Sequence, residues 1–445
     1  MQHASADRRG RDCRSGAAVA ASTMTSMKLL VVPMVVAALV TGCGATPETS
    51  APTTSIGSPA GQSPLVTPAP TSPPTAAATP ATDADHMRFT WSEVPFEGRV
   101  AAAAGDGARF VAVGSGSDGV ASWISTDGTH WEQQDVPEVS FGEIDVGVEL
   151  TAGMGELIRL GDTLYSFGGT QFMDAVLPAA WRWTDGGAWE VIESDNEFFG
   201  GMVTSVTASD DALLAVTTSF SEGLRGTVGT WLWTPADSWV KTGLASSPEE
   251  DISVHDVAWN DDAYIAVGEL AEAQEGLQPW DWPRARSMWT SADGREWTAT
   301  QLPVSASSIC SVTPLPTGGF VALGTTGDGA ASWTSLDGGD WVEGTVALPG
   351  GPGVRAAEQD ATPCHVVAFD GGLLAAAPVE GATLTWTSRD GGDWFFDQRL
   401  DMFGVPASKM AAVGDQVLLF GSRADPEAES GFRDVLLRGN GSPAR

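Results

Sequence analysis

The sequence predicts an all-β chain in which small antiparallel sheets repeat around an axis. Two repeated elements and an incomplete unit at each end predict it. The first element is a nine-residue frame opened and closed by tryptophan: WISTDGTHW (Trp123–Trp131), WRWTDGGAW (Trp181–Trp189), WTSADGREW (Trp289–Trp297), WTSLDGGDW (Trp333–Trp341) and WTSRDGGDW (Trp386–Trp394). A sixth copy, WLWTPADSW (Trp231–Trp239), keeps both indoles but has Pro235 at the Asp position. The second element is a short apolar strand, usually ending in Gly, that precedes each frame. It appears at Phe110–Gly114, Leu164–Gly168, Leu213–Thr217, Tyr264–Gly268, Phe320–Gly324, Leu373–Ala377 and Val417–Gly421.

Each frame reads as a β-hairpin. Thr and Ser alternate with Trp before the turn, and Asp-Gly or Gly-Gly tolerates the positive φ that tight turns need. The Asp carboxylate accepts hydrogen bonds from amides of its own turn. The closing indole packs on the neighbouring unit, where a buried Trp removes about 150–250 Å² from water, worth roughly 4–6 kcal/mol gross. Sustained 3.6-residue apolar spacing is absent and Gly and Pro are frequent, so helix is not expected.

Seven apolar strands stand against six frames, and the mismatch is informative. After Val417–Gly421 the chain adds one strand, Phe432–Arg438, and stops before any closing Trp. Phe89–Pro95 looks like the piece that follows a turn, without its partner. If the two pair, the first strand completes the last unit and the ring is closed without open edges. Residues 88–439 then give about 50 residues per unit, a normal size for four strands. The expected architecture is a seven-bladed β-propeller closed by its N- and C-terminal strands; the alternative is six blades with a detached N-terminal strand.

The pattern Ser/Thr-x-Asp-Gly-x-x-Trp resembles the Asp-box, or bacterial neuraminidase repeat, of sialidases and many non-enzymatic β-propellers. The resemblance implies that the box lies on the c–d turn at the blade periphery, remote from any active site. Asp127, Asp185, Asp293, Asp337 and Asp390 are therefore expected to be structural. The family's sialidases use three arginines around a carboxylate, a Tyr nucleophile with an acidic partner, and an Asp acid/base. Here the only tyrosines, Tyr165 and Tyr264, fall in apolar strands, and Arg99-Val100-Ala101 is at best a remnant of the family's Arg-Ile-Pro. The expectation is a sialidase-like scaffold without the sialidase catalytic set.

The first 86 residues read as an address. Met27-Lys28-Leu29-Leu30 opens an apolar run to Val40, followed by Thr41-Gly42-Cys43, the order of a signal peptide. Val-Thr-Gly-Cys resembles a lipobox, which implies lipidation of Cys43. Residues 1–43 are thus a signal peptide with an upstream extension carrying Arg8, Arg9, Arg11 and Arg14, and translation from Met24 or Met27 would give a more ordinary start. Residues 44–86, rich in Pro, Thr, Ser, Ala and Gly, bury too little apolar surface to fold and read as a tether. The propeller is expected over 87–440, facing outside the cytoplasm and reaching the membrane through the lipid anchor only.

With 57 acidic residues against 23 basic ones, the formal net charge is −34. Such a chain is poorly suited to nucleic acid or to direct adhesion to anionic lipid. No Asp-x-Asp-x-Asp-Gly loop and no zinc-type Cys spacing occurs, so neither metal nor cofactor is expected. Gly-x-Ser-x-Gly, His-Glu-x-x-His and phosphate-loop signatures are also missing.

Function is sought in the loops around the channel mouth. Glu269–Ser287 is the long one, with Trp280, Trp282, Arg284 and Arg286 suited to stacking on a sugar or clasping a carboxylate or a protein. The connection Gln133–Gly155, with Phe141, Glu143 and Asp145, could share that rim. Aligning the innermost strands places Thr204, His255, Cys310, Cys364 and Ser408 at corresponding positions. His255 is therefore a candidate mouth residue, and Cys310–Cys364 a candidate interblade disulfide in an exported domain. These features read as a monomeric binding or scaffold module for an extracytoplasmic protein or an envelope glycan. The alternative is a secreted glycoside hydrolase on the same scaffold.

Overall fold

In the computed structural model the described residues are 87–443, apart from 118, 145–147, 173–174, 185–186, 193–201, 219–227, 235–236, 245–249, 273, 275–283, 301, 303–304, 351–354, 356–357, 404–408 and 429–430. The expected signal segment, Cys43 and tether lie outside them, as do Asp145, Asp185, Trp280, Trp282 and Ser408. The chain divides into the units Met1–Ala76 and Ala77–Arg445, and the described residues belong to the second.

All regular structure of any length among the described residues is strand. Five separate four-stranded sheets form, four of them covering 99–134, 157–191, 202–242 and 250–300 in sequence order. The fifth joins the first strand of the described chain to its last three. An eight-stranded sheet holds two four-stranded halves, 308–346 and 365–400, and a two-stranded hairpin completes the set. Each four-stranded unit pairs antiparallel within itself. The eight-stranded sheet is continuous because Val342–Val346 pairs in parallel with Asp393–Leu400, Thr345 opposite Asp393 and Val346 opposite Trp394.

The innermost strands touch in a cycle. Arg99–Gly105 contacts Leu157–Leu160, then Met202–Ala208, Glu250–Trp259, Ser308–Pro314, His365–Phe369 and Met410–Val413 follow in turn, and the last contacts Arg99–Gly105 again. This cyclic packing of small sheets is a propeller-type architecture.

The repeated apolar strands are the second strands of the units, buried on both faces. Phe110, Val111, Ala112 and Val113 are at most 1% exposed, as are Phe320, Val321, Ala322 and Leu323. Burial on both sides explains the unbroken apolar run. The terminal glycine answers a steric demand. A Cβ on Gly114, Gly268 or Gly324 would stand 2.0, 2.0 and 1.9 Å from the carbonyl oxygens of Arg99, Ser253 and Ser308. Those carbonyls are pushed in by β-bulges at Ala101, His255 and Cys310 of the adjoining inner strands.

The tryptophan frames wedge neighbouring sheets together. Trp386 and Trp394 pack on Val321 and Leu323 of the preceding unit, and Trp333 and Trp341 pack on Ile265 and Val267. Trp289 and Trp297 cover Leu214 and Val216, while Trp231 and Trp239 cover Tyr165 and Phe167. Trp123 and Trp131 reach Leu418 and Phe420 of the last unit, with Phe96 between them.

The turn inside the frame is wider than the tight hairpin the sequence suggested. Its bonds recur in four copies: Gly128, Gly294, Gly338 and Gly391 each donate their N–H to the serine three residues before, at 2.9 Å. All four have φ between +69° and +79°. The aspartate accepts amides of the following residues: Thr129 and His130 at Asp127, Arg295 and Glu296 at Asp293, Gly339 at Asp337, and Gly392 at Asp390. A bond from the His130 ring, with these amides, holds the Asp127 carboxyl far below its usual range. In three copies the closing indole donates to the turn glycine's carbonyl.

The chain ends meet in one sheet. Met87–Val94 pairs antiparallel with Phe432–Pro443, Met87 opposite Pro443 and Val94 opposite Leu436. The closing strand thus begins two residues earlier than Phe89, and the last runs five residues past Arg438. Phe89 and Trp91, stacked at 5.3 Å, supply the aromatic wedge this unit otherwise lacks. The neighbouring unit clamps the strand through Thr387 Oγ1 to the Met87 carbonyl and Gln398 Nε2 to the Phe89 carbonyl. Glu93 accepts from Arg433 of its partner strand and Arg423 of the next strand in the sheet, at 2.6 and 2.7 Å.

Loss of a wedge is expected to cost more than a methyl added against a bulge carbonyl. Trp394→Ala should lower the unfolding free energy by about 3–5 kcal/mol. Gly324→Ala should cost about 1–3 kcal/mol through the Ser308 carbonyl clash. Urea denaturation checks both, and a loss below about 1 kcal/mol at Trp394 would contradict the wedge.

Candidate functional site

In a four-stranded antiparallel unit whose chain starts at the axis, the d–a and b–c connections share one end. The a–b and c–d turns share the other. The Asp-Gly turns therefore occupy one face, and the opposite face is where the chain adds material. The hairpin Ser140–Ile144 with Val148–Thr151 is inserted in the 133–155 connection on that face. The strands Thr163–Phe172 with Ala175–Thr184, and Glu250–Trp259 with Tyr264–Glu272, are longer than most of their counterparts and extend towards it.

Along the axis the inner strands line a cavity of about 740 Å³. Its wall includes Ala103, Glu156, Ser205, His255, Asp256, Cys310, Cys364, His365 and Met410, drawn from all the inner strands. The corresponding positions seen in the sequence have a structural meaning. Thr204, His255 and Cys310 are the extra residues of the bulges in their strands. A bulge re-aims its side chain, and here it turns Thr204, His255 and Cys310 to the axis.

Cys310 and Cys364 form a disulfide with Cα atoms 5.5 Å apart. It joins the two halves of the eight-stranded sheet at the axis, while the parallel pairing joins them at the rim. His255 is exposed to the cavity, with Nδ1 3.3 Å from the Ile309 carbonyl oxygen. His365 is half-buried, and burial lowers its pKa.

Asp256 sits one residue beyond the bulge and ties three inner strands. Its Oδ1 accepts from Ser205 Oγ and its own neighbour Val257 N, both at 2.9 Å, and Oδ2 accepts from Val312 N at 3.1 Å. Burial pushes its carboxyl up to about 6 against the pull of those bonds.

Glu156 occupies the equivalent position two units away. Asp256 lies opposite Val267, one residue before Gly268, and the Glu156 carbonyl accepts from Phe167, one residue before Gly168. Burial raises Glu156 to about 7, with the negative field of Asp256 acting in the same direction. Unlike Asp256, it has no hydrogen-bond or ion-pair partner for its carboxyl among the described residues. The sequence gives no sign of it, because Gly155 stands here in the layer that Thr204, His255 and Cys310 occupy in other units.

Of the rim residues expected from sequence, Trp280 and Trp282 lie outside the described residues. Arg284 begins the strand Arg284–Ser291. Arg286 is exposed, opposite Glu269, which is opposite Ser253 in turn. Arg286 and His255 thus belong to the third and first strands of one sheet, strands about 10 Å apart. Tyr165 and Tyr264 are buried, 7% and 2% exposed, in the interlocked core between units. No His, Cys, Asp and Glu group of metal-binding geometry occurs among the described residues.

The two raised carboxyls have a sign. Each binds a proton more tightly folded than unfolded, so its stabilisation is complete below the ordinary carboxylate range and is lost as pH rises through about 6 and 7. Relative to wild type, Glu156→Gln should gain about 1–3 kcal/mol of stability between pH 4 and pH 8. Thermal melts at both pH values check this; a variant that gains nothing on wild type between them would contradict it.

No protein-family profile matches the chain, and no curated protein sequence matches it. Solved structures do. YCF48 bound to a D1 peptide aligns at TM-score 0.46 and 14% identity, over 79% of this chain and 94% of that one. A catalytically inactive virginiamycin B lyase from Staphylococcus aureus with quinupristin aligns at TM-score 0.42 and 12% identity, over 79% and 99%. A prolyl endopeptidase aligns at 0.41 and 10%, over 82% of this chain and 51% of its own.

Proposed function

We propose that this chain is a lipid-anchored, extracytoplasmic β-propeller of seven blades, acting as a binding or scaffold module for an envelope protein or glycan. The count of seven takes the two halves of the eight-stranded sheet as separate blades. The four matching Ser-x-Asp-Gly turns support assigning the frames to the Asp-box group, and Val40-Thr41-Gly42-Cys43 supports the anchor. One observation carries the binding role. The face opposite the turns bears an inserted hairpin and two lengthened sheets around a cavity of about 740 Å³, a size suited to a ligand.

The glycoside-hydrolase reading is favoured by Glu156 and Asp256, two raised carboxyls on one cavity. Against it, Asp256 has its oxygens occupied by Ser205, Val257 and Val312, which suits a strut better than a base. A panel of chromogenic glycosides including a sialoside separates the readings, and turnover at enzyme-like rates would favour the hydrolase.

Two outcomes are expected of the anchored module. Cys43→Ala should move the protein from the detergent phase to the aqueous phase on fractionation. From detergent-solubilised envelopes, wild type should retain a partner that Trp280→Ala/Trp282→Ala recovers at least several-fold less well. Equal recovery would remove the 269–287 loop from the site.

A further inference from the structure

A second cavity, of about 350 Å³, opens beside the axial one between the 157–191 and 202–242 sheets. Its wall is Gly153, Met154, Gly155, Phe167, Gly168, Gly169, Thr170 and Val203, and Glu156 lines both cavities. Two of the glycines are required by backbone contact: a Cβ on Gly155 would lie 2.6 Å from the Phe167 carbonyl oxygen, and one on Gly168 2.0 Å from that of Gly153. Gly153 is different. A Cβ there meets only the Gly169 carbonyl oxygen, at 3.9 Å, so space rather than backbone lies beside it.

The result is a narrow pocket with apolar walls from Met154, Phe167 and Val203, lined by bare backbone, with one carboxyl at its junction with the axis. Glu156 is half-buried and faces both cavities, yet its carboxyl accepts no hydrogen bond and meets no cation among the described residues. Buried carboxylates are ordinarily paired or hydrogen-bonded, and Asp256 at the equivalent position has three donors. We propose that the missing partner of Glu156 is a ligand: a primary alkylammonium group whose apolar stem lies in the glycine-lined pocket and whose nitrogen meets the carboxylate. The source of that group is either a free aliphatic amine or a lysine side chain of the bound partner. The assignment rests on the binding-module reading and deepens it.

Surroundings favour a cation. The chain carries a formal charge of −34, and the described strands packed around Glu156 bring no cation to the pocket wall. Met202–Ala208 brings Ser205 and Val203, Thr163–Phe172 brings Phe167 and Thr170, and Arg99–Gly105 brings alanine and glycine to the shared cavity. Glu250–Trp259 brings Asp256 and His255. The raised proton affinity of Glu156 follows from its enclosure and from Asp256, so ligand and proton compete for one carboxyl.

The test is calorimetric titration of the full chain with 1,5-diaminopentane and with an N-acetyl-lysine amide, at 0.15 M salt to screen the general acidity. The norleucine analogue of the amide is the control. Expected are saturable binding of at least one amine, none of norleucine, and an affinity about tenfold weaker at pH 6 than at pH 8. Tighter diamine binding identifies a free amine as the source, and tighter lysine-amide binding a partner's side chain. Glu156→Gln should weaken binding at least tenfold. Gly153→Leu should abolish it by filling the pocket while leaving the carboxylate, with melting curves confirming both folds. Undetectable binding of both amines, or equal binding by folded Glu156→Gln, overturns the assignment. The envelope capture experiment stands apart: a partner retained there without amine binding overturns the pocket alone, and failure of both overturns the module as well.

Discussion

Everything in this molecule depends on indole rings held between sheets that have no free face. The second strand of each unit is apolar on both sides, so no sheet is stable alone. The indoles of one unit lie on the second strand of the unit before, and each buried ring contributes roughly 4–6 kcal/mol gross. Such a chain of dependence has a weak point wherever it ends. The ring removes that point by letting Phe89 and Trp91, brought from the first strand, serve the last sheet. Around the contact run Glu93 with two arginines, and the hydrogen bonds from Thr387 and Gln398.

The inner strands carry the consequence for function. A bulge gains a residue without lengthening the partner strand, and at Ala101, His255 and Cys310 it pushes a carbonyl towards the second strand, which there ends in Gly114, Gly268 and Gly324. In exchange Thr204, His255 and Cys310 turn to the axis, and the next position meets the adjacent unit. There Asp256 becomes a strut between three strands. Glu156, with no such donors among the described residues, becomes a half-buried carboxyl between two cavities. One backbone device thus produces a structural acid and a free one.

Much of this was legible in the sequence. The frames and apolar strands repeat at a spacing only stacked sheets explain, and an unpaired strand at each end foretold where the ends meet. The equivalence of Cys310 and Cys364 was readable because each lies nine or ten residues before the apolar second strand of its unit, Phe320–Gly324 or Leu373–Ala377. The bulges were not, since one added residue leaves the apolar pattern of the second strand untouched. The hairpin of Ser140–Ile144 and Val148–Thr151 was read as a plain connection because its strands lack the apolar run. The parallel seam at Thr345 and Asp393 joins two outer strands whose sequences carry no sign of a common edge. Glu156 was hidden for a simpler reason: among 57 acidic residues, nothing local marks it as a carboxyl without a partner among the described residues.

Hydrogen exchange of the full chain tests the central claim most directly. In a closed ring wedged by indoles, the amides of Met87–Val94 and Phe432–Pro443 belong to a core sheet. They should exchange on the same slow timescale as those of Gly372–Val379. Exchange of the two terminal strands at loop-like rates, with Gly372–Val379 still protected, would show that the ends do not share a sheet and would contradict the account.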